Sequence, residues 1–398
     1  MFTTLKSAIR FLNFAFWGLL FCYGPGASGQ TVRSTYSTDA GLQRLSTLRG
    51  YVYHPDTSWL YSHHPYLVFF KGWFYASWSN GYKDEDQPGQ RVALARSRNG
   101  LDWQKPTVLA EPGLYRNDTL NVLTAAGFLV QGDSLLAYYG EYSPHRTHTR
   151  LWVRSSRDGI HWSEAVDLQT PVNPNLGPQR LSSGRLLICG NFCFPYSESG
   201  NGLGPWINTS WYDAAAYKED NPATFYAPAE AQGLPPLCEG AFFETPDRVV
   251  HMLLRVTGKG WKGRLWMTES HDQGSTWSRP QEQPFPDNDS KFHFGQLPGY
   301  GYYYMGIPDT LHHYERNPLV LSLSGDGRLF DRHFVVAEQP YELKKEGLWK
   351  GGHYGYPYTM IHKDALYVIV SRKKEAIEVI KIPLAQLKGK KNSNLKKN

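Results

Sequence analysis

Histidine, arginine, lysine, glutamate and tyrosine gather in five stretches of this 398-residue chain, each at the head of a β-prone run. The first is Tyr61-Ser62-His63-His64-Pro65-Tyr66, before Leu67-Val68-Phe69-Phe70. An imidazole there can act as general base, general acid or metal ligand, or serve as a hydrogen-bonded structural histidine. The loop that follows, Ser79 to Arg91, carries Asp84, Glu85 and Asp86. Its oxygens could bind Ca²⁺, but it lacks the EF-hand pattern and reads otherwise as a solvated loop. The second stretch, Gly177-Pro178-Gln179-Arg180, offers a guanidinium fork that fits a carboxylate.

The third stretch holds Glu239 in Cys238-Glu239-Gly240, followed by Phe242-Phe243, which sends the carboxylate inward. Downstream, His251 and Arg255 lie four apart on a strand and share one face. In the fourth, Lys291 and His293 alternate with Phe292 and Phe294, so the polar pair shares a face; Arg316 opens the next strand. The fifth, Lys350-Gly351-Gly352-His353-Tyr354-Gly355-Tyr356, combines backbone that a ligand can approach closely with stacking faces and hydrogen-bonding groups. His63, His64, Glu239 and His293 form the catalytic candidates. Arg180, His251, Arg255, Lys291, Arg316, Lys350, His353 and Tyr356 form the binding candidates. Three arginines and two lysines among them imply a cationic funnel and an anionic ligand, most simply a sugar carboxylate such as sialate or uronate. No further cofactor is required.

The elements that must position these residues are marked by a repeat. Ser97-Arg98-Asn99-Gly100-Leu101-Asp102-Trp103, Ser156-Arg157-Asp158-Gly159-Ile160-His161-Trp162, Ser270-His271-Asp272-Gln273-Gly274-Ser275-Thr276-Trp277 and Ser324-Gly325-Asp326-Gly327-Arg328-Leu329-Phe330 share one pattern. Each places a hydroxyl, then Asn or Asp, then Gly, then an aromatic in one short turn. Their starts advance in steps of roughly 57 residues with one step skipped, the period of a supersecondary unit used repeatedly. Short β-prone runs precede each copy, Asp or Asn can accept hydrogen bonds from its own turn, and Gly supplies positive φ. The spacing predicts an all-β chain folded as a single β-propeller of four-stranded blades. Six blades fall near 50–110, 110–165, 165–225, 225–285, 285–335 and 335–388, or seven if the N-terminal stretch and the long region 165–285 hide another. The third and sixth lack a clear turn motif, and Ser371-Arg372-Lys373-Lys374 takes the sixth turn position. Residues 30–50 are expected to add a strand that closes the ring against the last blade.

Ser270 to Trp277 matches in full the Asp box, Ser-x-Asp-x-Gly-x-Thr-Trp, and the chain resembles the sialidase-like propellers that carry it. In that family the box lies on outer-strand turns, away from the active-site face, so it marks scaffold and carries no chemistry. The resemblance implies a glycan-acting enzyme. An exo-sialidase would show Phe/Tyr-Arg-Ile-Pro near the first blade, an early Asp acid/base and a Tyr–Glu nucleophile pair; the first motif is absent. The histidines make the chain more similar to propeller enzymes that cleave terminal L-rhamnosyl-α-1,4-D-glucuronate. That resemblance implies hydrolysis of an acidic glycan, or β-elimination by a lyase, with His63 or His64 as the catalytic histidine. Exo-sialidase and a non-catalytic glycan-binding propeller are the alternatives.

Residues 1–29 have the pattern of a signal peptide: Lys6 and Arg10, an apolar run from Phe11 to Tyr23, and the small residues Ala27-Ser28-Gly29. An exported, periplasmic or secreted protein is expected, with a lipoprotein anchored at Cys22 as the alternative. No later run is long and apolar enough to span a bilayer. The propeller is expected over 30–388 and a basic tail over 389–398. The net charge of +6 resides in the leader and in Lys388, Lys390, Lys391, Lys396 and Lys397. The near-neutral body excludes a nucleic-acid surface. Three cysteines beyond the leader, Cys189, Cys193 and Cys238, allow one disulfide or none.

Overall fold

The computed structural model describes residues 31–116, 118–191, 193–211 and 232–387. The expected leader and basic tail lie outside them.

Six antiparallel blades form a propeller. Blade one is built from Tyr61–Phe70, Trp73–Gly81, Arg91–Ser97 and Thr107–Ala110. Blade two follows with Val122–Gln131, Ser134–Tyr142, Arg150–Ser156 and Val166–Asp167. Blade three has three strands among the described residues, Pro174–Arg180, Leu186–Gly190 and Tyr196–Ser197. Blade four comprises Leu237–Glu244, Val250–Val256, Arg264–Ser270 and Gln281–Pro286. Blade five comprises His293–Leu297, Gly301–Gly306, Leu319–Ser324 and Arg332–Ala337. Blade six takes Gly355–His362, Ala365–Arg372 and Ala376–Pro383 from late in the chain and its outer strand, Leu48–Tyr53, from early in it. Closure therefore uses a strand slightly later than 30–50, while Gln43–Arg44 runs parallel to the outer strand of blade five.

The first strand of each blade lines the axis, and those of blades one, two and four are nearly continuous in buried residues, as their position between neighbours demands. Adjacent blades meet through aromatic and branched side chains such as Tyr66, Trp78, Leu253 and Val368. Inner strands approach so closely that a Cβ at Gly177 would stand 2.4 Å from the Ala126 carbonyl oxygen. That contact explains the glycine in Gly177-Pro178-Gln179.

The four turn motifs sit between third and fourth strands and satisfy themselves. In blade four, the Thr276 N–H donates to Asp272 Oδ1 at 2.8 Å, and Gly274, at φ +89°, donates its N–H to Ser270 Oγ at 2.7 Å. Blade three carries a fifth version that its sequence disguises. Ser199 Oγ donates to Asn201 Oδ1 at 2.9 Å and the Leu203 N–H donates to the same oxygen at 2.7 Å, with Trp206 closing the turn. Blade six has none for a topological reason: its third and fourth strands are not consecutive, so no turn joins them. Ser371 to Lys374 instead joins second and third strands, at the opposite end of the blade from a box turn.

Candidate active site

Antiparallel order puts two kinds of segment at one mouth of the ring: the heads of the inner strands and the turns between second and third strands. A cavity of about 270 Å³ opens there. His64, Thr124, Glu239 and Tyr356 reach it from inner-strand heads, and Asp289 from the approach to blade five. Glu85 and Asp86, Arg146, Arg316 and Lys374 reach it from the turns between second and third strands of blades one, two, five and six, and Arg255 from the end of the second strand of blade four.

Local backbone explains how these side chains converge. The inner strands of blades one, two, three, four and six each begin with a register shift against their neighbour, the mark of a bulge that re-aims side chains. His64, Asp86, Arg146, Asp289, Arg316, Tyr356 and Lys374 all have positive φ, between 48° and 60°. Such a backbone is costly for a side-chain-bearing residue and concentrates where surrounding packing enforces it, often at functional sites.

On one wall, Tyr356 donates its hydroxyl proton to Glu239 Oε2, and Arg255 Nη2 stands 2.5 Å from that oxygen and 3.1 Å from the Tyr356 oxygen. Arg255 also binds the Asp289 carboxylate and its carbonyl oxygen, to which Arg316 donates at 2.9 Å. Burial raises the Glu239 carboxyl, but Arg255, Lys291 and the Tyr356 hydroxyl outweigh it and leave the group below its usual range. Burial pushes the Tyr356 phenol well above its own.

The facing wall holds two neighbouring carboxylates driven apart. Burial and the charge of Glu85 raise Asp86, which accepts hydrogen bonds from Tyr142 and from Arg146, each at 2.5 Å. Glu85 is also raised by burial, but Lys374, 2.5 Å away, and His64 bring it down to about 2. The pair thus sets one carboxyl above and one below the ordinary carboxylate range.

The structure brings five of the twelve candidates to the cavity: His64, Glu239, Arg255, Arg316 and Tyr356. His63, Lys291 and His293 lie buried behind that lining. His63 packs on Tyr356 with ring centroids 4.0 Å apart, Lys291 donates to Tyr66 at 3.0 Å, and His293 Nδ1 lies 2.5 Å from Thr359 Oγ1. Burial lowers His293 to about 3, so it is uncharged at neutral pH. Four candidates are placed elsewhere. Arg180 is at the tail of its inner strand, on the opposite face, held by the Gly184 and Gly200 carbonyls. His251 sits in a fully buried pair with Glu269, their atoms 2.9 Å apart. Lys350 forms a buried ion pair with Glu375 at 3.0 Å and donates to two carbonyls. His353 accepts the Tyr341 N–H. The expected cationic funnel is therefore corrected: four carboxylates, Glu85, Asp86, Glu239 and Asp289, face four cations, Arg146, Arg255, Arg316 and Lys374.

The sequence candidates do not include Glu85, Asp86, Arg146, Asp289 or Lys374. The acidic loop has the composition of a solvated loop, yet Asp84 is buried and accepts the Leu348 N–H, while its neighbours point into the cavity. Its three acids are engaged by different partners rather than converging on one point. The signal was there in an acidic triplet between Gly81 and Pro88, beside a histidine-rich strand. All three described cysteines are free, and burial pushes each thiol up to about 12.

A family model described as a BNR repeat-like domain matches residues 72–369. Comparison with curated proteins gave no match. Among solved structures, one titled "Sialidase" superposes with a TM-score of 0.61 at 18% identity, over 89% of this chain and 35% of that one. Trypanosoma rangeli sialidase in complex with 2,3-difluorosialic acid, described as a covalent intermediate, gives 0.58 at 16% identity, over 85% of this chain and 59% of that one. A Dyadobacter fermentans protein of unknown function gives 0.59 at 14% identity, over 85% of this chain and 99% of that one. The chain thus spans about a third of the first protein and three-fifths of the second, and at these identities the likeness is one of fold.

Proposed function

The chain belongs to the BNR repeat-like domain family, and from that footing we propose that it is a glycoside hydrolase removing a terminal acidic sugar through a covalent enzyme intermediate. The observation that carries this reading is the contact of Tyr356 with both Glu239 and Arg255. Glu239 accepts the phenolic proton as Tyr356 oxygen attacks the anomeric carbon. Asp86 gives its proton to the departing glycosidic oxygen. In the second half, Asp86 takes a proton from water, the new C–O bond forms, and Tyr356 leaves and recovers its proton from Glu239. Every proton is returned, and the net change is addition of water.

Arg255 touches the nucleophile itself, so a substrate carboxylate gripped by Arg255 and Arg316 lies at or beside the reacting carbon. That favours a sialate-type acid, whose carboxylate is on the anomeric carbon. A neutral phenol also meets less repulsion from such a carboxylate than an ionised nucleophile would. The cavity of about 270 Å³ has room for about one sugar ring, consistent with removal of an end residue. The covalent intermediate named for the Trypanosoma rangeli structure supports the same chemistry.

A second reading, hydrolysis or β-elimination at rhamnosyl-glucuronate, is favoured by His64 in the cavity wall, with its ring 5.3 Å from Tyr356. Incubation with sialosides and with rhamnosyl-glucuronides, followed by product mass spectrometry, tests both. Free sialate with one added water is the expected result. Release of rhamnose or an unsaturated uronate would move the assignment to the second reading. Binding of these glycans without turnover would leave a carbohydrate-binding propeller.

A further inference from the structure

His63, His64 and Glu85 form a cluster that the proposed hydrolysis does not use. Their ligand-type atoms all lie within 4.8 Å of one another, and among the described residues no other group of three or more His, Cys, Asp or Glu is so arranged. His64 Nε2 is 3.4 Å from Glu85 Oε1, and His63 Nε2 is 3.9 Å from the same oxygen. Each ring is fixed from behind by a serine: His63 Nδ1 lies 2.6 Å from Ser371 Oγ and His64 Nδ1 lies 3.1 Å from Ser79 Oγ. With Nδ1 protonated and donating to serine, both Nε2 lone pairs face the carboxylate. His63 is fully buried, yet its Nε2 has no hydrogen-bond partner among the described residues. A buried nitrogen left in that state is costly unless something else satisfies it.

We propose that His63 Nε2, His64 Nε2 and Glu85 Oε1 bind a divalent transition-metal ion of the zinc class. Four-coordinate zinc takes nitrogen and carboxylate oxygen at about 2.0–2.2 Å, which sets neighbouring ligands roughly 3.4 Å apart. The His64–Glu85 spacing already has that value, whereas His63 stands 3.9 Å from Glu85 and within 4.8 Å of the other ligand atoms, so its ring must move inward on binding. Two imidazoles select against Ca²⁺ and Mg²⁺, which prefer oxygen. The serines supply the outer hydrogen bonds that orient ligating histidines. Lys374 and Tyr61 share Glu85: Lys374 holds Oε2, while the Tyr61 hydroxyl donates to Oε1 at 3.2 Å. The lysine leaves Oε1 for the metal, and the tyrosine bond is the one to loosen. His64 and Glu85 line the cavity, so the fourth position faces it and is open to water or a substrate oxygen.

The site is tested with Co²⁺ on the full chain after chelator dialysis, using the visible absorption of four-coordinate cobalt and calorimetry. Neither readout depends on turnover. One strongly absorbing Co²⁺ per chain is expected, displaced by Zn²⁺. H63A and H64A should abolish the absorption, E85Q should weaken affinity at least tenfold, and S79A and S371A should weaken it by about 10–100-fold while leaving the fold intact. H145A and H161A should bind as the parent does. Absence of the absorption, or its survival in H63A and H64A, overturns the site.

Discussion

Tyr356 and Glu239 lie 117 positions apart, on blades six and four, and share one hydrogen bond across the mouth of the ring. Because Tyr356 donates and Glu239 is held ionised by Arg255, proton and acceptor are in place before any substrate arrives. Tyr356→Phe and Glu239→Gln are therefore expected to lower kcat by about 10²–10⁴-fold with little change in the far-ultraviolet spectrum. Near-normal turnover in Y356F on the true substrate would remove the nucleophile from the scheme.

Asp86 is the proton donor in this scheme, and its role depends on the leaving group. Asp86→Asn should slow natural glycosides strongly yet spare an aryl glycoside whose phenol needs no proton. In the parent, activity opens as Glu239 ionises, below the ordinary 4.5, and closes as Asp86 loses its proton, above the ordinary 3.8. D86N should lose the alkaline limb. A pH–rate profile that keeps that limb assigns it to another group.

Arg316 and Arg180 are both arginines near inner strands, but only the first lines the cavity. Arg316→Ala should raise KM for an acidic glycan at least tenfold, whereas Arg180→Ala should leave kcat/KM within about twofold. Equal losses would mean that the two faces of the ring communicate in a way their placement does not explain.

His293 provides a stability test. Its folded-state value of about 3 lies below the unfolded value near 6.5, so the unfolded chain binds the extra proton between them. Stability should fall as pH drops through that window, by an amount on the order of 5 kcal/mol for complete titration, of which about 2 kcal/mol is lost by pH 5. Asp287, pushed up to about 7 by burial and by Asp289, acts in the opposite sense over part of the range. Comparing urea midpoints of the parent and His293→Gln at pH 7 and pH 5 cancels that contribution. The parent should lose more stability than the variant; equal losses would mean His293 does not couple to folding.

The turn motifs should behave as scaffold. Asp272 accepts from the Thr276 backbone and hydroxyl and from Ser270. Asp272→Ala should cost about 1–3 kcal/mol of stability and leave kcat unchanged when measured well below the melting temperature. A selective loss of kcat at full folding would give the box a role at the opposite mouth.

What could be read in the chain follows from distance along it. The box of blade four is complete within eight residues, so its local hydrogen bonding was visible. The version in blade three was not, because Leu203 and Pro205 break the pattern while Asn201 preserves the bonding. His63 and His64 stood out as neighbours on one strand. Tyr356 was placed among binding residues because its partner lies two blades away, and no local pattern records such a pairing. Lys374 was read as a turn residue, since Ser371 to Lys374 occupies the register of a box; only the split origin of blade six reveals that the turn faces the other mouth. Arg180 shows the converse error: a good clamp by chemistry, carried to the wrong end by its strand.

The mixed origin of blade six also has a consequence for biosynthesis. Leu48–Tyr53 is made early, but its hydrogen-bonding partner Ala376–Pro383 is the last of the described strands to be made. At about 5–20 residues per second, the intervening roughly 320 residues take on the order of 15–65 s to emerge. Throughout that interval the early segment has no native partner on its blade-six side, and Tyr356 has no fixed position against Glu239. The last of the described strands to be made therefore acts as a completion signal: until it docks, blade six lacks its outer pairing and the ring is not closed.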